Sequence, residues 1–140
     1  MAAIIGLDDE TINTTCAGVS GVVAAVNFNS PGQVVIAGNT EAVQRATKLA
    51  KERGAKRAVQ LPVSVPSHCA LMREAAQELA ASLDAMAVNA PVIPVIHNAD
   101  VARHESPDAI RDILARQLWQ PVRWTGTIEH LVAAGIERFV

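Results

Sequence analysis

The sequence predicts a two-part α/β protein: a ferredoxin-like βαββαβ unit over residues 1–61, then part of a parallel α/β layer over residues 62–140. Three observations carry this. Short β-rich runs and two helical segments alternate in βαββαβ order as far as Leu61. Longer amphipathic segments then alternate with the runs PVIPVI (91–96) and IERFV (136–140), each apolar enough to be buried on both faces. Two such strands are too few to close a parallel sheet, so the second half reads as incomplete and the chain as cut from something longer. With 140 residues, 50% of them apolar, there is enough chain for one compact domain or two small layers sharing a core.

AAIIGL (2–7) is a strand, and Asp8 and Asp9 suit a following helix start, where carboxylates meet free backbone N–H groups. VVAAV (22–26) and QVVIAG (33–38) are β-rich runs joined by the turn formers of NFNSPG (27–32), which predicts an antiparallel pair. TEAVQRATKLAKERG (40–54) is the clearest helix. Thr40 can cap it, Ala42, Val43, Ala46, Leu49 and Ala50 share a face, and Gly54 fits the left-handed position past its end. KRAVQL (56–61) follows as a strand.

SHCALMREAAQELAASLDAM (67–86) places Leu71, Ala75, Leu79, Leu83 and Met86 on one stripe, with Ser67 as a cap. In PVIPVI, Pro94 predicts an edge position or a bulge. A polar loop, HNADVARHE (97–105), leads to SPDAIRDILARQLW (106–119), where Ser106 caps, Pro107 opens the helix and Ile110, Leu114 and Leu118 face inward. PVRWTGTIEHLVAAG (121–135) is a last helix ending at Gly135.

Composition excludes several function classes. A net charge of −2 and four aromatic residues, Phe28, Trp119, Trp124 and Phe139, argue against nucleic acid as a partner. No apolar run approaches the roughly 20 residues of a membrane span, and MAAIIGLDDE lacks a basic secretory leader, so the cytoplasm is the default compartment. Cys16 and Cys69 form no disulfide framework and no paired metal-ligand spacing. His97, Asp100 and His104 match no dedicated metal site and read as a solvated loop.

LPVSVPSHCALM (61–72) sets a histidine between an extended Val-Pro run and a helix start. With the helix beginning near Ser67, His68 would lie in its first turn, where the macrodipole disfavours a cation. Two readings stand: a neutral imidazole that accepts a proton from a serine or thiol, or a capping or surface histidine. The chain offers that base no nucleophile. GVSGV (18–22) lacks the second glycine of a serine elbow, so Ser20 fails the motif. Cys69 points about 100° away from His68 on a helix and reads as a buried small side chain. KLAKERGAKR (48–57) gathers Lys48, Lys51, Arg53, Lys56 and Arg57 around a single acid, Glu52. It is either a steering surface for an acidic partner or an ordinary solvated helix end.

VNFNSPGQVVIAG (26–38) and LPVSVPSHCALM (61–72) resemble the malonyl-CoA:acyl carrier protein transacylase family of bacterial fatty acid synthesis. AAIIGLDD, GAKRA, NAPVIPV and AIRDILARQLWQPVRW resemble further segments of it, in order along the full length. The resemblance implies an α/β-hydrolase-like core with an inserted ferredoxin-like subdomain. It implies malonyl-CoA and a phosphopantetheinyl carrier protein as substrates, the latter meeting the basic residues 48–57, with no bound cofactor or metal. His68 would be the general base, oriented by the backbone carbonyl of Gln117. Ser67, beside it, falls where related acyltransferases vary with acyl group, so it either touches substrate or caps the helix.

The family's serine elbow, its malonyl-binding arginine and its oxyanion loop have no counterpart in these residues, and Met1 aligns with an internal methionine. The expectation is therefore a piece of a transacylase that carries the histidine without the serine and is inactive alone. The competing expectation is a stand-alone ferredoxin-like module that binds a ligand or a protein, folds as a monomer and uses residues 62–140 as a helical annex.

Overall fold

The structure, a computed structural model, describes residues 1–140 and is a mixed α/β fold built on a four-stranded antiparallel sheet. Its first half runs β1 (Ala2–Ile5), α1 (Asp9–Ala17), β2 (Val23–Ser30), β3 (Gln33–Gly38), α2 (Thr40–Glu52) and β4 (Arg57–Gln60), with sheet order β2-β3-β1-β4. Asp8 caps α1 by accepting from the Thr11 N–H at 2.7 Å, which also holds its carboxyl below the usual carboxylate range. Ile4, Ile12, Val34, Ile36 and Val43 are almost fully buried where α1 and α2 meet the sheet. Each contributes about 1.5–3 kcal/mol by leaving water. On the sheet's other face, Val26, Val35 and Ala37 pack against Cys69.

Two expectations about this half need correction. Asn27, Phe28, Asn29 and Ser30, read as a turn, continue β2, and the register shifts twice against β3 to accommodate them. The turn shrinks to Pro31 and Gly32, whose φ of +74° suits glycine. Thr40 is the first helical residue of α2, with Asn39 at the cap position, and the Asn39 side chain accepts from the Val22 N–H at 3.0 Å.

The second half contains α3 (Arg73–Asp84), preceded by a 3-10 turn at Ala70–Met72, then β5 (Ile96–His97), β6 (Ala102–Arg103), α4 (Pro107–Arg116) and α5 (Trp124–Ala133). Helices α3 and α4 pack together, and Ala76 and Leu83 on α3 and Ile110 and Ile113 on α4 are buried. Arg111 donates to the carbonyls of Leu83 and Met86 and so closes the end of α3. Ser106 caps α4 as expected, accepting from Ala109 N–H, with Pro107 at the first position. Leu71 and Met86, assigned to the inward stripe of the third helix, are exposed because that helix begins and ends inside them.

The expected parallel layer is absent from these residues. Residues 91–95 are irregular, with Val92 99% and Ile93 76% exposed, and IERFV forms no strand. Pro91 and Pro94 lack the N–H a ladder needs, and no neighbouring strand lies alongside to pair with either run. The only second sheet is the two-residue hairpin β5-β6. The segment before α5 joins the halves through the backbone, beside the packing of Cys69 on the sheet and of α5 on β2. Val122 exchanges backbone hydrogen bonds with Val26 and Phe28 along the free edge of β2, at 2.8 and 2.9 Å, in a parallel bridge opposite Asn27.

Candidate functional site

After β4 the chain is pinned once, by Leu61 N–H donating to the Met1 carbonyl at 3.0 Å, and then crosses Pro62 and Pro66 with Val63 and Val65 exposed. Cys69 ends this crossing. Its side chain is buried on the sheet and its thiol donates to the Pro66 carbonyl at 3.1 Å, so it serves as an anchor, in line with its reading as a buried small side chain. His68, one residue earlier, has φ 65°, a left-handed conformation that costs a non-glycine residue about 1–2 kcal/mol.

Two hydrogen bonds hold it there. The His68 backbone N–H donates to the Leu118 carbonyl at 2.8 Å, and ring Nδ1 lies 2.7 Å from the Gln117 carbonyl oxygen. Gln117 ends α4, and the last carbonyls of a helix lack intrahelical partners, so the helix supplies acceptors that something must satisfy. A carbonyl only accepts, so Nδ1 carries a proton, and in the neutral ring the lone pair is then on Nε2, which makes no hydrogen bond.

This geometry corrects the expected helix start. The helical turns begin at Ala70, so His68 stands ahead of them and the end of α4, not a first turn of its own, fixes its ring. Ser67 caps no helix. It borders, with His68, Ser64 and Asn27, an open hollow of about 570 Å³. A larger hollow of about 860 Å³ lies elsewhere, lined by Asp8, Asp9, Glu10 and Glu129 opposite Arg123. Burial and the neighbouring Asp8 and Glu129 push the Asp9 carboxyl up.

The other sequence candidates fall away from this site. Ser20 is exposed on its own loop, and Cys16 is buried with its thiol pushed up to about 11. His97, Asp100 and His104 do not form a solvated loop: His97 is buried, its ring centroid 5.4 Å from that of His104, and His104 Nε2 meets Asp100 Oδ2 at 2.9 Å. The Asn98 carbonyl and side chain receive Arg123 N–H and the Thr127 hydroxyl, so this hairpin locks onto α5. Lys48, Lys51, Arg53, Lys56 and Arg57 are exposed and form no ion pair, around the end of α2 and the start of β4; Arg53 also donates to the Thr15 hydroxyl at 2.9 Å.

Residues 1–140 match the family described as the acyl transferase domain. The chain belongs to the acyl transferase domain family. It is similar to the malonyl CoA-acyl carrier protein transacylase of Escherichia coli O157:H7, 58% identical over 98% of this chain and 45% of that protein. Among solved structures it is similar to an acyl carrier protein S-malonyltransferase from Vibrio cholerae, at 59% identity and TM-score 0.95 over 97% of this chain and 45% of that one. It is also similar to a malonyl-transacylase in complex with a type II PKS acyl-carrier protein, at 52% identity and TM-score 0.95 over 96% and 44%. The chain thus spans under half the length of the relatives it matches.

Within this acyl transferase segment three participants were missed by sequence reasoning: the Leu118 carbonyl, Asn27 at the hollow, and Arg73, whose guanidinium carbon sits 4.2 Å over the Trp119 ring. None has a local signature. Each depends on contacts between segments far apart in the chain.

Proposed function

We propose that this chain is the histidine-bearing segment of a malonyl-CoA:acyl carrier protein transacylase. We read residues 1–61 as its ferredoxin-like subdomain and residues 62–140 as part of its α/β-hydrolase-like core, working in the cytoplasm without a bound cofactor. The observation that carries the reading is the 2.7 Å contact from His68 Nδ1 to the Gln117 carbonyl, which leaves Nε2 free beside an open hollow.

The nucleophile in this reading is a serine outside these 140 residues. As its oxygen bonds to the malonyl thioester carbon, Nε2 takes the hydroxyl proton. The C–S bond then breaks, and the departing coenzyme A sulfur takes that proton from Nε2. In the second half the phosphopantetheine thiol gives its proton to Nε2 and attacks the acyl-serine. The C–O bond breaks and the serine oxygen recovers the proton. The negative end of α4 suits the positive charge the ring carries between these transfers. Ser67 borders the substrate, and the exposed cations 48–57 meet the acidic carrier protein.

The test uses a full-length protein in which residues 1–140 replace the matching segment of the Escherichia coli relative. Transfer of labelled malonyl to a carrier protein is expected, and His68→Ala should reduce it by about 10²–10⁴-fold. Transfer that survives this substitution would remove His68 from the mechanism. Residues 1–140 alone should form no acyl-enzyme; stable acylation of them would contradict the reading. The alternative of a stand-alone binding module has less support, because Val92, Ile93 and Val95 stay exposed where a finished domain covers such residues.

A further inference from the structure

We propose that Arg73 and Trp119 form a positioning brace for His68, a stacked pair that holds the loop carrying the ring against the end of α4. The inference rests on reading His68 as the proton acceptor. Trp119 lies two residues after Gln117, in the turn that closes α4, where its N–H donates to the Arg116 carbonyl at 3.1 Å. Arg73 lies five residues after His68, at the start of α3. Between them the backbone is tightly wound: Met72 N–H donates to the Cys69 carbonyl at 3.0 Å, and Arg73 N–H to the Ala70 carbonyl. Both ends of this short stiff segment therefore touch the same turn, His68 through the Gln117 and Leu118 carbonyls and Arg73 through the indole.

One contact fixes a position, whereas two separated contacts also fix rotation. His68 holds a left-handed backbone angle that a non-glycine residue leaves readily unless its surroundings prevent it. The two carbonyl bonds oppose that relaxation at one end. The stack opposes it at the other. Arg73 makes no ion pair, so its contact with the half-buried indole, Cζ 4.2 Å from the ring centroid, is its principal side-chain engagement. A flat cation over an indole face is a favourable arrangement even at a partly exposed site. Both residues act through His68 and neither borders its hollow.

The experiment uses the full-length protein carrying residues 1–140 in the Escherichia coli relative. Arg73→Gln keeps an unbranched polar side chain on an exposed site, so the fold survives, and it removes the cation. It should lower kcat about three- to ten-fold with KM for malonyl-CoA unchanged, because it misaligns the base without touching substrate. The His68 Nδ1 proton, followed by NMR, should exchange with solvent correspondingly faster. Arg73→Lys should restore kcat to within about two-fold, since an ammonium also binds an indole face. Trp119→Leu should match Arg73→Gln, and combining the two should add little. An unchanged kcat and Nδ1 exchange in Arg73→Gln, or an equal loss in Arg73→Lys, would overturn the brace. Should the parent protein transfer no malonyl at all, the functional reading fails, and Nδ1 exchange alone then judges the brace.

Discussion

His68 and Gln117, 49 positions apart, meet at 2.7 Å through a ring nitrogen and a backbone carbonyl, and no side-chain atom of Gln117 takes part. A carboxylate in that place would add a full charge; a helix-end carbonyl adds direction and only the partial negative charge of the helix terminus.

Because the acceptor belongs to the backbone, Gln117→Ala should leave malonyl transfer in the full-length protein within about three-fold of the parent. Gln117→Pro should be far worse, since it deletes the N–H that bonds the Ile113 carbonyl at 3.0 Å and disturbs the helix end. Steady-state rates of the two variants check this. Equal, large losses in both would mean that the Gln117 side chain does the orienting.

Ile113 is fully buried on α4, which packs against α3. Ile113→Ala should destabilise the protein by about 2–5 kcal/mol and Ile113→Val by about 0.5–1.5 kcal/mol. Denaturant unfolding measures both. Near-equal costs would mean that the site collapses around the deletion and that the end of α4 is less rigidly held than its contacts indicate.

Both thiols are structural. Cys16 is buried with its thiol pushed up to about 11, and Cys69 is buried against the sheet with its S–H engaged. Native protein should show no fast reaction with a chromogenic disulfide at neutral pH, and two thiols should appear on denaturation. A rapidly reacting thiol in the native state would show that one of these pockets opens.

Burial first, then the neighbouring His104, push the His97 imidazole below its usual range, against an opposing pull from Asp100. The folded state therefore binds this proton less readily than the unfolded chain. Stability should fall as pH drops through the ordinary histidine value of about 6.5 towards the lowered folded value. His97→Gln should flatten the thermal midpoint against pH over that interval. A slope unaffected by this substitution would assign the acid sensitivity to other groups.

Much of the helix punctuation is legible from local chemistry. Asp8, Ser106 with Pro107, and Gly54 mark helix ends where the structure has them, with Gly54 at φ 96°, and the apolar face of α2 buries Ala42, Val43, Ala46 and Ala50 as its periodicity requires. The failures share one cause, which is long-range pairing. Asn27 to Ser30 carry turn propensities but gain a strand partner on β3, and Val122 secures the edge. PVIPVI carries strand propensity, but only its last residue, Ile96, finds a partner, Arg103. At the site, local reasoning placed His68 in a first helical turn, because nothing nearby marks a histidine as left-handed. Its bond to Gln117 was indicated by family resemblance and has no trace in spacing or composition.

The most direct measurement is the tautomer of the His68 ring, read from long-range nitrogen–proton correlations in protein labelled at histidine. The account predicts a neutral ring protonated on Nδ1, with Nε2 showing the shift of an unprotonated nitrogen. A ring protonated on Nε2 would contradict it, because Gln117 would then hold the wrong nitrogen and His68 would have no lone pair to offer a hydroxyl.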